Sequence, residues 1–414
     1  MSVKQVILFC NYTATKTRSH LNLSDMKFDN WLRSKLRIPA LKYIDAAPWI
    51  EAFIRFFQGE ENYHLHVIAI QMGMKKEFES FEEDGVSYHY VKSGLGLWSK
   101  VTDKLFDTQK KKDFPIYRKR FAKALKGISP DIVLMCGAEN PDYATAFLNT
   151  YCPHKLVIMQ TLMNDEKRIQ MGVSNAYRRE IENRVLSHCH HFAVPDESWI
   201  QYIKQVNSSA KCYPFTFPTI RPVVNEAIEK QYDFVFFAGI LGRNKGTNDL
   251  VSAMATLCKK YPNATLNIIG SADEEYMKGL HQQVEDKGLE SNVFFTPPFP
   301  KREDVFKEVC KAKVAVLPGI TASLNSTVRE AMLMGMPTIA YETADTLRIN
   351  SDSQCILTAR MEDVEDLASK MAFVLGNPLE AKFIAENGER YATSHFSQEA
   401  FSNSLGHIIN KVFE

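Results

Sequence analysis

The run VAVLPGITASLNSTVREAMLMGMPTIA, residues 314–340, decides the fold. It opens on a short apolar stretch that stops at Pro318. A polar turn over 323–327 follows, then a helical pattern that carries Glu330. The helix ends at Gly335, the residue type that most easily takes a left-handed helix end. Met336-Pro337 then lead into a second apolar run. Strand, helix, strand in so short a span is a βαβ unit. Val, Ile and Leu without polar alternation suit strands buried on both faces of a parallel sheet.

The same alternation recurs on either side. Strand patterns fall at 5–10, 64–71, 87–91, 131–136, 155–160 and 191–195, and again at 234–238, 265–270, 293–295, 314–318, 338–340 and 354–357. Amphipathic helical stretches lie between them, as at 48–57, 117–126, 248–260 and 364–375. Two doubly wound α/β domains result. Pro214, Pro218 and Pro222 mark a linker over 213–232. The expected domains are therefore 1–220 and 221–394, with a helical tail at 395–414 that packs back on the first. Residues 18–42 are polar and basic and read as a long excursion after the first strand.

Composition agrees with a two-core globular chain. Its 414 residues exceed one ordinary core, and 45% hydrophobic with 24% charged residues excludes disordered and fibrous classes. The eight cysteines include no CxxC pair, so they read as reduced thiols of a cytoplasmic protein. The opening MSVKQVILFC has the pattern of a buried strand and not of a secretory leader. No run approaches the length of a membrane-spanning helix. Residues 1–220 carry 30 Lys+Arg against 23 Asp+Glu, and residues 221–414 carry 20 against 26, so the halves differ in sign and face different partners.

Two elements bear chemistry. In FVFFAGILGRNKGTNDL, residues 234–250, a strand enters a glycine-rich turn that holds Gly239, Arg243, Lys245 and Gly246 before a helix begins. Such a turn lets backbone N–H groups approach a phosphate, with two cations to neutralise it. It matches neither G-x-G-x-x-G nor a P-loop, which argues against dinucleotides and NTPase chemistry. In the second element, Asn325, Ser326 and Thr327 open the helix of Glu330, where free N–H groups and the dipole favour an anion. Ser326 and Thr327 equally suit plain N-capping, and Glu330 a solvated helix charge. A carboxylate at that position also suits a vicinal diol such as ribose.

Taken together, these elements resemble the donor-binding half of family-four retaining glycosyltransferases, the glycosyl transferases group 1 type. Gly239, Lys245 and Gly246 match its Gly-Arg…Lys-Gly stretch, and Glu330, Ala331, Met332, Gly335 and Pro337 match the end of its Glu-x7-Glu motif. LNIIG at 266–270 and NVFF at 292–295 fall between them in the expected order. The resemblance covers about 230–414 by motif and the first half by architecture alone. It implies a GT-B fold of two Rossmann-like domains with a cleft between them. It implies a nucleotide diphosphate-sugar donor, no separate cofactor and no metal. The acceptor would be a saccharide or lipid-linked molecule, in polysaccharide or glycoconjugate biosynthesis. By the same resemblance Lys245 holds the diphosphate with Arg243 as helper. Ser326 and Thr327 receive phosphate, with Asn325 beside them in the donor site, and Glu330 takes the ribose. The sequence departs from the family at Ile240, where an arginine is usual, and at Ala322, where the first motif glutamate is usual. Residues 11–18 replace a Gly-Gly loop, and Gln160-Thr161-Leu162 replace a histidine.

Two further clusters stand outside that pattern. In His188-Cys189-His190-His191, neighbours in a strand point to opposite faces, so the run reads as a helix end entering a strand and not as a metal site. Residues 103–126 hold nine basic and three acidic residues interleaved with Phe106, Phe114, Tyr117 and Phe121. They read as a solvated helix face or as a dock for anionic lipid headgroups, which makes peripheral membrane contact an expectation. Nucleic acid is disfavoured, because no recognition motif appears. Two rivals stand beside sugar transfer: a non-catalytic partner subunit of the same fold, and a nucleotide-sugar epimerase.

Overall fold

A computed structural model describes residues 3–35, 40, 42–94, 114–219, 221, 222, 224, 228–299, 301–320 and 325–414. The chain divides into two compact units, Met1–Phe217 with Ser402–Glu414, and Pro218–Phe401.

The first unit is built on β1 (Lys4–Cys10), β2 (Tyr63–Gln71), β3 (Phe78–Glu83), β4 (Val86–Lys92), β5 (Ile132–Cys136), β6 (Lys155–Ile158), β7 (His191–Val194) and β8 (Lys211–Pro214). They form one sheet in the order β3-β4-β2-β1-β5-β6-β7-β8. Only β3 runs antiparallel, against β4. The central strands β1 and β5 are wholly apolar where they pair, with Val6 against Ile132 and Phe9 against Met135. Phe9 anchors the core, its ring against those of Phe121, Tyr143 and Phe147.

The second unit holds β9 (Tyr232–Ile240), β10 (Leu266–Ser271), β11 (Val293–Thr296), β12 (Ala312–Leu317), β13 (Thr338–Tyr341) and β14 (Leu357–Ala359). All pair in parallel, in the order β11-β10-β9-β12-β13-β14. The strand order reverses beside β9, between β9 and β12. The first unit reverses in the same way between β1 and β5. In open α/β sheets such a reversal parts the loops at the carboxyl ends and leaves a crevice for ligands.

The described part of residues 18–42 is not a plain excursion. Helices span Thr15–Arg18 and Lys27–Lys35, and isolated bridges tie Thr13 to Ala46 and Leu23 to Met74. The tail is the helix Gln398–Phe413. Its Phe401, Leu405, Ile408 and Val412 repeat on one face and are buried. Within the first unit, the Val412 carbonyl lies 3.0 Å from His154 Nδ1, and Lys4 Nζ sits 3.7 Å from the centre of the Phe413 ring.

The basic stretch 103–126 lies outside the described residues up to 113. Beyond that point, Phe114, Tyr117 and Phe121 are core side chains of the first unit. Arg120 is buried as well and donates to the carbonyls of Lys92 and Gly94. Three of the four aromatics offered as a lipid dock are therefore spent on the core, Tyr117 and Phe121 from the helix Pro115–Ala124 and Phe114 from its N-cap, while Phe106 lies outside the described residues. Among the described residues, no helix is long and apolar enough to cross a membrane.

Candidate functional site

The loop after β9 is shaped by glycine. Arg243–Lys245 form one 3-10 turn, and Gly246 closes it with φ 72° before the helix Thr247–Cys258. A Cβ on Gly246 would stand 1.9 Å from the Pro318 carbonyl oxygen. Only glycine fits there, both for its left-handed backbone and for the approach of the loop after β12. The two loops are also joined by the Ile320 N–H, which donates to the Asn244 carbonyl at 3.2 Å.

That approach brings the predicted residues together. Lys245 Nζ donates to Asn325 Oδ1 at 3.1 Å. Asn325 is the N-cap of the helix Ser326–Leu333, yet its side chain makes no cap hydrogen bond. The side chain that would satisfy the first helical N–H groups is turned to the lysine instead. Gly319 makes room for it, since a Cβ there would meet Asn325 Nδ2 at 2.1 Å. A lysine, an uncapped helix start and a close pair of loops thus meet beside the strand-order reversal, an arrangement suited to an anion. Ala322 falls outside the described residues.

Glu330 lies one turn further in and is buried. Arg302, half-exposed at the start of the helix Arg302–Val309, pairs with its carboxylate. Burial raises the Glu330 pKa, opposed by the nearby Arg302 and Arg329. It is therefore not a solvated helix charge but a held one. The helix ends as its sequence indicates: Gly335 has φ 66°, its N–H donates to Met332, and the Met336 N–H donates to Ala331. Arg243 is exposed on its turn, and Gly239 lies at the exposed end of β9, where a Cβ would meet nothing.

In the first unit, the equivalent position holds two buried carboxylates not singled out from the sequence, Glu139 and Glu182, beside Gln160, which stands in place of a histidine. Gly137 follows β5 with φ 90°. Glu139, two residues on, is buried, and burial raises its pKa. Gln160 after β6 donates from Nε2 to Cys136 Sγ at 3.0 Å. Glu182 is buried too, which pushes its pKa up to about 7. It accepts from the N–H groups of Met163 and Asn164 at 2.9 and 3.2 Å and so fixes the loop after β6. The signal for Glu139 was a Gly-Ala-Glu-Asn-Pro run directly after an apolar strand. Arg302 had no local signal, because it meets Glu330 only through the fold. The histidine run is dispersed as well: the ring nitrogens of His188, His190 and His191 meet Arg184, Ser209 and Tyr213 respectively.

The comparisons with known proteins bear on both units. Residues 223–391 match the family described as glycosyl transferases, group 1. An uncharacterised glycosyltransferase of Methanocaldococcus jannaschii is 28% identical over 150 residues, which make up 34% of this chain and 36% of that protein. The chain spans 36% to 42% of the length of the curated relatives it matches. Sucrose-phosphate synthase of Thermosynechococcus elongatus shares the fold with a TM-score of 0.69 at 16% identity, over 99% of each chain. HepE of Anabaena, solved in complex with UDP and glucose, does so with a TM-score of 0.64 at 14% identity, over 98% of this chain and 99% of its own. At such identities the likeness is one of fold, and the fold is that of GT-B proteins. Residues 223–391 are therefore a domain of the glycosyl transferases group 1 family, carried in a chain of GT-B fold.

Proposed function

We propose that this chain transfers a sugar from a nucleoside diphosphate-sugar to a hydroxyl of a saccharide or lipid-linked acceptor, in the assembly of a polysaccharide or glycoconjugate. The observation that carries the reading is the contact of Lys245 with Asn325, at 3.1 Å, beside the uncapped start of the helix Ser326–Leu333. The diphosphate takes the place of the Asn325 oxygen on the lysine and receives the N–H groups at Ser326 and Thr327. Arg243 adds its charge from the exposed side of the turn. Negative charge that develops on the leaving diphosphate then meets fixed donors, which removes the need for an acid on the leaving oxygen or for a metal. Glu330, held by Arg302, takes the ribose hydroxyls. The resemblance of the donor-binding motifs favours a hexosyl donor and a retaining outcome. The eight unpaired cysteines support a cytoplasmic enzyme.

The test is calorimetric titration with UDP and UDP-glucose, together with an assay for UDP release. Saturable binding that is lost in Lys245→Ala supports the reading. Equal binding by wild type and variant would remove Lys245 from the site. Binding of the nucleotide sugar without turnover, across a panel of saccharide acceptors, would assign the chain as a non-catalytic partner. Conversion of the donor to its epimer would assign an epimerase.

A further inference from the structure

Buried polar atoms in folded proteins are almost always paired, and an unpaired buried carboxylate is costly. Glu139 is an exception in the first unit. The residue is 8% exposed, and its Oε2 has no hydrogen-bond partner among the described residues. Both carboxylate oxygens fold back over the end of β5, each 3.2 Å from the point a Cβ would occupy on Gly137. Gln160 Oε1, from the end of β6, lies 3.1 Å from the same point. Thr161, the next residue, is buried, and its hydroxyl is unpartnered too. A carboxylate, an amide and a hydroxyl thus stand past the carboxyl ends of two adjacent parallel strands, next to the reversal of strand order between β1 and β5.

The contrast with Glu182 separates structural work from ligand work. Glu182 is also buried, but it is satisfied by the N–H groups of Met163 and Asn164 and by the Asn164 side chain. Glu139 has no such duty toward another segment: its carboxylate meets its own backbone N–H and the charges of Arg178 and Arg168, and its Oε2 stays unpartnered among the described residues. A carboxylate only accepts hydrogen bonds, so its ligand must donate them, and an anionic ligand would be repelled. A diol donates to one carboxylate twice, and the amide of Gln160 can accept or donate beside it. We propose that Glu139, flanked by Gln160 and Thr161, receives the hydroxyls of the saccharide acceptor and holds it for transfer. This assignment rests on the sugar-transfer reading and names the acceptor's anchor within it. A site built to pair a hydroxyl rejects analogues that lack it, so Glu139 also sets acceptor specificity.

The experiment compares the full chain with Glu139→Gln and Glu139→Ala. Urea unfolding comes first. Removal of an unpaired buried charge leaves the Gln variant as stable as wild type or more so; a fall in its midpoint would make Glu139 structural and overturn the proposal. A printed array of bacterial and plant oligosaccharides, probed in the presence of UDP, comes second. Wild type is expected to bind, and both variants to bind at least tenfold more weakly. Equal binding, or no binding by wild type, overturns the proposal. UDP thermal stabilisation of wild type keeps the two readings apart: its absence would sink donor binding while the array still judges Glu139.

Discussion

At the scale of single residues, the second unit depends on which glycines are obliged to be glycine. Gly246 combines φ 72° with a Pro318 oxygen at 1.9 Å from any Cβ. Gly246→Ala should lower unfolding stability by more than the roughly 1–2 kcal/mol of a left-handed alanine, measured by urea denaturation. Gly239 faces open space. Gly239→Ala should leave stability within about 0.5 kcal/mol, so any loss of UDP affinity in that variant reports on ligand and not on fold. Lys245→Ala removes a charge-assisted contact of about 1.5–3 kcal/mol, and the UDP dissociation constant should rise by roughly ten- to a hundredfold in calorimetry. Lys245 could be singled out from the sequence because a cation in a glycine-rich strand-to-helix turn has few structural duties. The meaning of Gly246 could not, because Pro318 comes to it from the loop after β12, 72 residues further along the chain.

Among the elements, the helix Ser326–Leu333 has an N-cap whose side chain is engaged elsewhere. An ordinary Asn cap is worth about 1 kcal/mol. Asn325→Ala should therefore cost less than about half of that in stability, while UDP affinity still falls; loss of a full cap's worth of stability with unchanged affinity would reverse the assignment. The central strands β1, β5, β9 and β12 were readable because burial on both faces leaves an unbroken apolar run. The edges were not. β3 reads FESFEE, with charged residues on its solvent side, and β8 reads KCYP, whose proline suggested a linker. β14 lies at Leu357–Ala359, later than the apolar run at 354–357, because its pairing with β13 sets the register and not its own composition.

For the whole molecule, opposed titrations meet in the first unit. Burial pushes His66 and His89 down to about 4. Below about pH 6.5 the unfolded chain protonates these histidines before the folded chain does, so their contribution to stability is full above that pH and is lost as pH falls toward 4. Glu182 acts the other way. Its pKa of about 7 makes the folded chain take the proton first, so its contribution grows as pH falls from 7 toward the ordinary carboxylate range. The His66→Gln, His89→Gln double variant should therefore lose less stability than wild type between pH 7.5 and 5.5, by about 1 kcal/mol per histidine. All four tryptophans lie in residues 1–217, so their fluorescence reports this unit alone.

The last structural consequence concerns the order in which the chain is made. Residues 402–414 belong to the first unit although the entire second unit is encoded before them. A ribosome translating this message releases the β-rich residues 1–217 nearly two hundred codons before the segment whose Gly406 lies against Phe56. Until then the opening half must wait, incomplete, for its final helix. Deletion of 402–414 should accordingly lower the unfolding midpoint seen by tryptophan fluorescence, although every tryptophan lies at or before residue 199.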